Sequence, residues 1–168
     1  RISILNPAEG RFHTIRNSEN ITGIVDYMHT PDAYENVLST INSIRTNTEK
    51  LIVVFGCGGD RDAEKRPKMT AIACNMSDQV IITADNPRTE KIEDIISDMT
   101  VKLDPVQKKK VLVITDRSQA IKTACTLASE GDIVLLAGKG HEKYQEIEGV
   151  KHYFDDVEEL VESLNINQ

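Results

Sequence analysis

No apolar run in this sequence approaches the roughly 20 residues that a membrane span needs, and the N-terminus lacks the charged-then-apolar pattern of a secretory signal. A membrane is therefore not an expected partner. Cysteine is scarce. Cys57, Cys74 and Cys125 form an odd set without a C-x-x-C pair. That argues against a disulfide framework and for reduced thiols in a cytoplasmic protein. No His/Cys group has zinc spacing, so no metal ligand is assigned. Positive charge is also short, with 20 Lys and Arg against 27 Asp and Glu, a net charge of −7. Such a surface is repelled by a phosphate backbone, so nucleic acid is not an expected partner either. Catalytic signatures are missing too. There is no G-x-x-x-x-G-K-[ST] loop, no dinucleotide-type G-x-G-x-x-G, and no G-x-S-x-G elbow. A small hydrolase is a poor fit on this ground, and Cys57 reads as a small packed residue rather than a nucleophile. The sequence does not start with Met, as expected of a piece of a longer chain.

What is present has the balance of a globular domain: 39% hydrophobic and 28% charged residues over 168 positions. That length suits one domain, residues 1–168. Four short apolar runs, Leu51–Phe55, Val80–Ile82, Val111–Ile114 and Ile133–Leu136, lack polar alternation. They read as strands buried on both faces of a parallel sheet. Between them lie stripes at helical spacing, including Ala33/Val37/Ile41/Ile44, Met69/Ile72/Ala73/Met76, Ile92/Ile95/Ile96/Met99 and Ala120/Ile121/Ala124/Cys125. Val157/Leu160/Val161/Leu164 closes the chain with another. Strands that bury two faces and helices that bury one give right-handed βαβ units. The expected fold is α/β, a Rossmann-like, mostly parallel sheet with helices on both faces. Phe12–Ile15 and Ile21–Val25 read as an N-terminal hairpin or edge addition. Thr30-Pro31 and Asp116 read as helix starts, and Asp104–Lys110 as a polar loop.

Each apolar run is followed at once by turn and charged residues: Asp26–Pro31, Gly56–Arg61, Ala84–Arg88, Asp116-Arg117 and Gly138–Glu142. In a parallel sheet these segments share one edge, where open α/β folds bind ligands. Five loops are thus expected to meet at one cleft. Arg61 and Arg88 offer planar forks suited to a carboxylate. Asp85, Glu142 and carbonyls near Gly138 can accept from an ammonium. Adjacent cation and anion sites fit a zwitterion, the end of an amino acid. Composition and position reach a small-molecule cleft and no reaction. A stand-alone α/β module that binds an anionic metabolite without chemistry fits them equally well.

Gly10-Arg11, Val25–Ala33, Phe55–Arg61 with Lys65-Arg66-Pro67, Asp85-Asn86-Pro87-Arg88, and Gly138–Glu142 with Tyr144-Gln145 occur in one order along the chain. In this the sequence resembles the C-terminal domain of the Mur ligases, in the branch that adds diaminopimelate. The resemblance implies an ATP-dependent ligase of cytoplasmic peptidoglycan precursor synthesis, serving cell-wall biogenesis, cell shape and cell division. It implies meso-diaminopimelate, ATP and a UDP-MurNAc-dipeptide as substrates, with ATP and Mg2+ held mainly by a central domain that this chain lacks. The partners it implies are the N-terminal and central domains of the same parent chain, with residues 1–10 a linker from the ATP domain. The isolated piece is then expected to be inactive. Amino-acid binding maps onto Arg61, Asp85, Asn86, Pro87, Arg88, Gly138 and Glu142, and nucleotide contact onto Arg11, Asp26 and His29. The D-N-P-R form is the one the family associates with diaminopimelate rather than lysine. Two positions depart from the family: Met28 stands where Ala is usual, and His13 where an acidic residue is usual.

Overall fold

The structure, a computed structural model, describes residues 11–166. The expected linker, residues 1–10, lies outside the described residues. The elements run β1 (His13–Arg16), β2 (Thr22–Asp26), α1 (Pro31–Ile44), β3 (Leu51–Phe55), α2 (Lys65–Met76), β4 (Gln79–Ile82) and α3 (Ile92–Thr100). They continue with α4 (Pro105–Lys108), β5 (Val111–Val113), α5 (Arg117–Leu127), β6 (Ile133–Ala137), β7 (Tyr144–Ile147), β8 (Val150–Tyr153) and α6 (Asp156–Ser163).

Six strands form one sheet in the order β1-β2-β6-β3-β4-β5. β1 is antiparallel to β2, and every other pairing is parallel. This is the α/β fold expected, with the N-terminal strands added at one edge. β6, late in the chain, inserts between β2 and β3. The C-terminal ends of β2, β6, β3 and β4 therefore lie side by side.

The uninterrupted apolar strands fill both faces. Leu51, Val53 and Phe55 of β3 pack toward α1, α2 and α3, with Tyr34, Leu38, Ala73 and Ile95. Ile52 and Val54 pack the other way, against Ile121 and Ala124 of α5 and Leu160 of α6. Each fully buried side chain of this size contributes about 1.5–3 kcal/mol. The helix starts follow from local chemistry. The Thr30 and Asp116 side chains accept from the backbone N–H groups of Ala33 and Gln119, and Pro31 opens α1.

Two expectations are corrected, and one element was not foreseen. β5 is not buried on both faces: Leu112 and Val113 are exposed, because β5 ends the sheet and has a neighbour only in β4. Asp104–Lys110 is not all loop, since a reciprocal bond pair between Asp104 and Gln107 closes the short helix α4 after Pro105. A two-stranded antiparallel sheet, β7-β8, was not expected at all. Its turn is Glu148-Gly149, with positive φ at both residues (51° and 78°), the form that joins hairpin strands in two residues.

Candidate functional site

A cleft of about 480 Å³ opens at the C-terminal edge of the sheet. Residues after β2 (Met28, His29), after β3 (Cys57, Arg61), after β4 (Asp85, Asn86, Arg88) and after β6 (Glu142, Tyr144) line it. Four of the five expected loops meet here. The fifth does not. Arg117 turns beneath the sheet edge, fully buried, and pairs with Asp156 at Nε–Oδ1 2.8 Å and Nη2–Oδ2 2.7 Å. α5 packs on the opposite face from α1 and α2, so its first turn cannot reach the opening. Arg117 still acts on the site from behind, donating from Nη1 to the carbonyl of Ala84 at 3.0 Å, directly before Asp85.

The loops after β3 and β4 are built as one piece. Gly59 N–H donates to the Asn86 carbonyl at 2.8 Å, and Arg88 Nη1 donates to the Gly59 carbonyl at 2.9 Å. A Cβ on Gly59 would collide with the Pro87 carbonyl oxygen. Pro87 is buried in this contact and does not line the cleft. The hairpin closes the other side. Arg88 N–H donates to the Glu146 carbonyl at 2.9 Å, and Glu148 N–H donates to the Arg88 carbonyl at 2.7 Å. Gln145 Nε2 donates to the Asp85 carbonyl at 3.0 Å. Held on both sides, Arg88 adopts φ 53°, a left-handed backbone that a long side chain rarely takes.

The Arg88 guanidinium spends one donor on Gly59 and lies 3.8 Å from Glu146 through Nε. Arg61 is exposed, with Nη1 on the Asp60 carbonyl at 3.0 Å. Both forks keep donors for a ligand carboxylate. Arg66 is the strut below. It is buried, bonds Glu90 through both Nη atoms (2.6 and 3.2 Å) and Asp98 at 2.9 Å, and donates to the Gly58 carbonyl at 2.9 Å.

On the acceptor side, Asp85 and Asn86 are 2% exposed and Glu142 half-buried. Between them lies Lys139, which sequence reasoning did not assign. Its side chain is completely buried, with Nζ 3.0 Å from Asn86 Oδ1 and 3.4 Å from both Asp85 Oδ1 and Glu142 Oε1. Gly138 is buried behind Asp85 with φ 118° and does not line the cleft. Met28 and Met69 add an apolar floor, together with Cys57, whose thiol is pushed up to about 12 by burial and by the nearby Asp85 charge. It is a packed thiol at neutral pH.

Asp26 ends β2 and is 4% exposed. Burial raises its carboxyl to about 6, against the pull of the Phe12 and Tyr27 N–H groups and the Arg11 charge. It does not line the cleft, but the next residues do, with Tyr27 and His29 ring centroids 4.3 Å apart in a T-shape. His13 is exposed on β1. Among the described residues no group of three or more His, Cys, Asp or Glu side chains is placed to hold a metal ion. Nor is any helix there long and apolar enough to cross a membrane.

Residues 10–140 match the family described as "Mur ligase, glutamate ligase domain". The chain is similar to the UDP-N-acetylmuramoyl-L-alanyl-D-glutamate–2,6-diaminopimelate ligase of Bacteroides fragilis, at 54% identity over 98% of this chain and 34% of that protein. It is similar to the ligase of the same name from Clostridioides difficile, at 51% identity over 98% of this chain and 33% of that protein. A solved structure of a ligase of that name superposes with a TM-score of 0.86 at 48% identity, over 96% of this chain and 32% of the other. The chain thus spans about a third of the length of the curated relatives it matches.

Proposed function

This chain belongs to the Mur ligase family through its glutamate ligase domain, and we propose that it recruits the amino acid for a diaminopimelate-adding ligase. In this reading the parent protein joins meso-diaminopimelate to UDP-MurNAc-L-Ala-D-Glu in the cytoplasm, at the expense of ATP and with Mg2+. ATP, when bound, supplies the phosphoryl group that activates the acceptor carboxylate. The chain's own work is positional. It holds one end of the amino acid, points the free amine at the activated carboxylate, and excludes water as it closes on the ATP-bearing domain. Asp26, with Arg11 beside it and the His29 and Tyr27 rings at the rim, would meet the nucleotide. A buried carboxylate suits ribose hydroxyls.

One observation carries the reading. Two arginine forks, the Asn86 amide and the Asp85 and Glu142 carboxylates, from loops distant in sequence, ring a single cleft with an apolar floor. Arg88 and Arg61 suit the distal carboxylate, Glu142 the distal ammonium, and Met28 and Met69 the methylenes between. Lysine has no distal carboxylate, so it would leave Arg88 desolvated and unmatched. A stand-alone binding module is not favoured, since relatives about half identical carry this sequence as a third of a longer ligase.

The test is steady-state kinetics of the full-length ligase with meso-diaminopimelate and L-lysine. The expected result is a strong preference for diaminopimelate. Arg88→Ala should lower kcat/KM for it about 30- to 100-fold, the size of one charge-assisted pair, while KM for ATP stays put. Equal use of the two amino acids would overturn the reading.

A further inference from the structure

Lys139 lies in the loop after β6, where a lysine in a glycine-flanked turn would ordinarily point to water. It is instead fully buried, and its ammonium is surrounded by three groups of the cleft wall. Asn86 Oδ1 takes its closest contact, at 3.0 Å. The same oxygen accepts from Glu146 N–H at 2.9 Å. Two donors on one atom settle the amide's orientation, because only the oxygen can accept. The Asn86 amide nitrogen therefore faces the cleft side, where it donates toward Glu142 Oε1 at 3.4 Å. Asn86 can offer a ligand only N–H.

Charge is set by the same contact. Asp85 and Glu142 bring two carboxylates to this wall, and the Lys139 ammonium, 3.4 Å from each, offsets one. One negative charge remains, with Glu142 Oε2 reached among the described residues only by the Tyr144 hydroxyl at 3.5 Å. That suits one ligand ammonium. Two uncompensated carboxylates would draw cations and repel the carboxylate that Arg61 and Arg88 are there to hold.

We propose that Lys139 is a positioning residue for amino-acid selectivity, one that fixes the Asn86 amide with its nitrogen toward the cleft and reduces the acidic wall to a single net charge. This rests on the amino-acid reading above. It requires that Lys139 stay in place when ligand binds, rather than be evicted by the ligand's own ammonium.

Two measurements test it. In the full-length ligase, Lys139→Met keeps an unbranched stem one atom shorter and removes the ammonium. KM for meso-diaminopimelate should rise at least tenfold, the preference over L-lysine should fall by a similar factor, and KM for ATP should not move. A folded variant with the wild-type preference, or one in which both amino acids and ATP weaken together, would overturn the role. Should the variant not fold, the wild-type protein decides through the 1H–15N signal of the Lys139 ammonium, assigned through its side-chain carbons. A slowly exchanging signal that is present without ligand and survives saturation with diaminopimelate is expected. Its loss on saturation would mean eviction and would overturn the proposal. Wild-type protein without any preference, but with the ammonium signal intact, would overturn the amino-acid reading and the selectivity role with it. A preference that the variant retains would remove the role of Lys139 alone.

Discussion

Asp26 shows at the scale of one residue that the end of β2, just before the cleft-lining Tyr27–His29, is not optimised for stability. Burial holds its carboxyl near 6 in the folded chain, against an ordinary value of 3.8. Below 3.8 both folded and unfolded chains carry the proton, and the shift contributes nothing. Between 3.8 and 6 the unfolded chain ionises first, so stability falls as pH rises. Above 6 the cost is complete, on the order of 3 kcal/mol. Asp26→Asn should therefore be more stable than the wild type by about 1–3 kcal/mol at pH 8, with the gap closing toward pH 4. Urea unfolding at the two pH values measures it, and an equal gap at both would contradict the assignment. Residue identity made much of this wall readable beforehand. Arg61, Arg88, Asp85 and Glu142 were named from their place after apolar runs, Asn86 through the resemblance alone, and the structure brings all five to one opening. Lys139 was not assigned, because nothing local distinguishes a lysine that will be engulfed from one that will be solvated. Its burial is created only when the loops after β4 and β6 meet.

At the scale of elements, the cleft is made by loops leaning on one another. Gly59 is the tightest of these contacts, since a methyl group there meets the peptide of Pro87. Backbone on both sides leaves no flexible side chain to give way. Gly59→Ala is expected to destabilise the chain by at least about 2 kcal/mol and to raise KM for the amino acid more than tenfold. KM for ATP should change little. Circular dichroism melts beside the kinetics would check both parts. The glycine-rich and D-N-P-R segments were visible in the sequence, whereas their mutual contact was not, because it joins residues about 30 positions apart. Other misses have local causes. The β7-β8 strands are four residues each and largely polar, and their turn is Glu-Gly rather than Asn-Gly. The capping pattern of Asp104, Pro105 and Gln107 was legible, yet a helix of four residues has no apolar stripe to announce it. β5 has the composition of a central strand but the position of an edge.

For the molecule as a whole, helices on both faces of one sheet make a body able to hold a ligand at its rim. The groups proposed to meet the nucleotide lie at the start of the described chain, and two of them, Tyr27 and His29, line the cleft itself. The 168-residue chain by itself is expected to release no phosphate from ATP when offered all three substrates and Mg2+. The full-length ligase should do so under the same conditions. A phosphate-release assay separates the two, and turnover by the chain alone would require a catalytic centre within it. The layered architecture was the most legible feature of the sequence, because two-faced strands and one-faced helices differ in pattern over many residues. The place of β6 between β2 and β3 was not, since no local pattern encodes which strands become neighbours.

The hairpin has a further consequence. Both peptide groups of Arg88 are bonded to it, so this cleft-lining arginine belongs to the sheet by covalent connection and to the hairpin by hydrogen bonding. The Glu148-Gly149 turn has open space beside Gly149, yet both residues hold a left-handed backbone, so only residues that tolerate positive φ, glycine above all, can stand there. A slip of one residue along either strand would invert the face each side chain shows and unfasten Arg88. Heritable change in this stretch is thereby confined to its solvent-facing side chains, while its length and its turn are frozen.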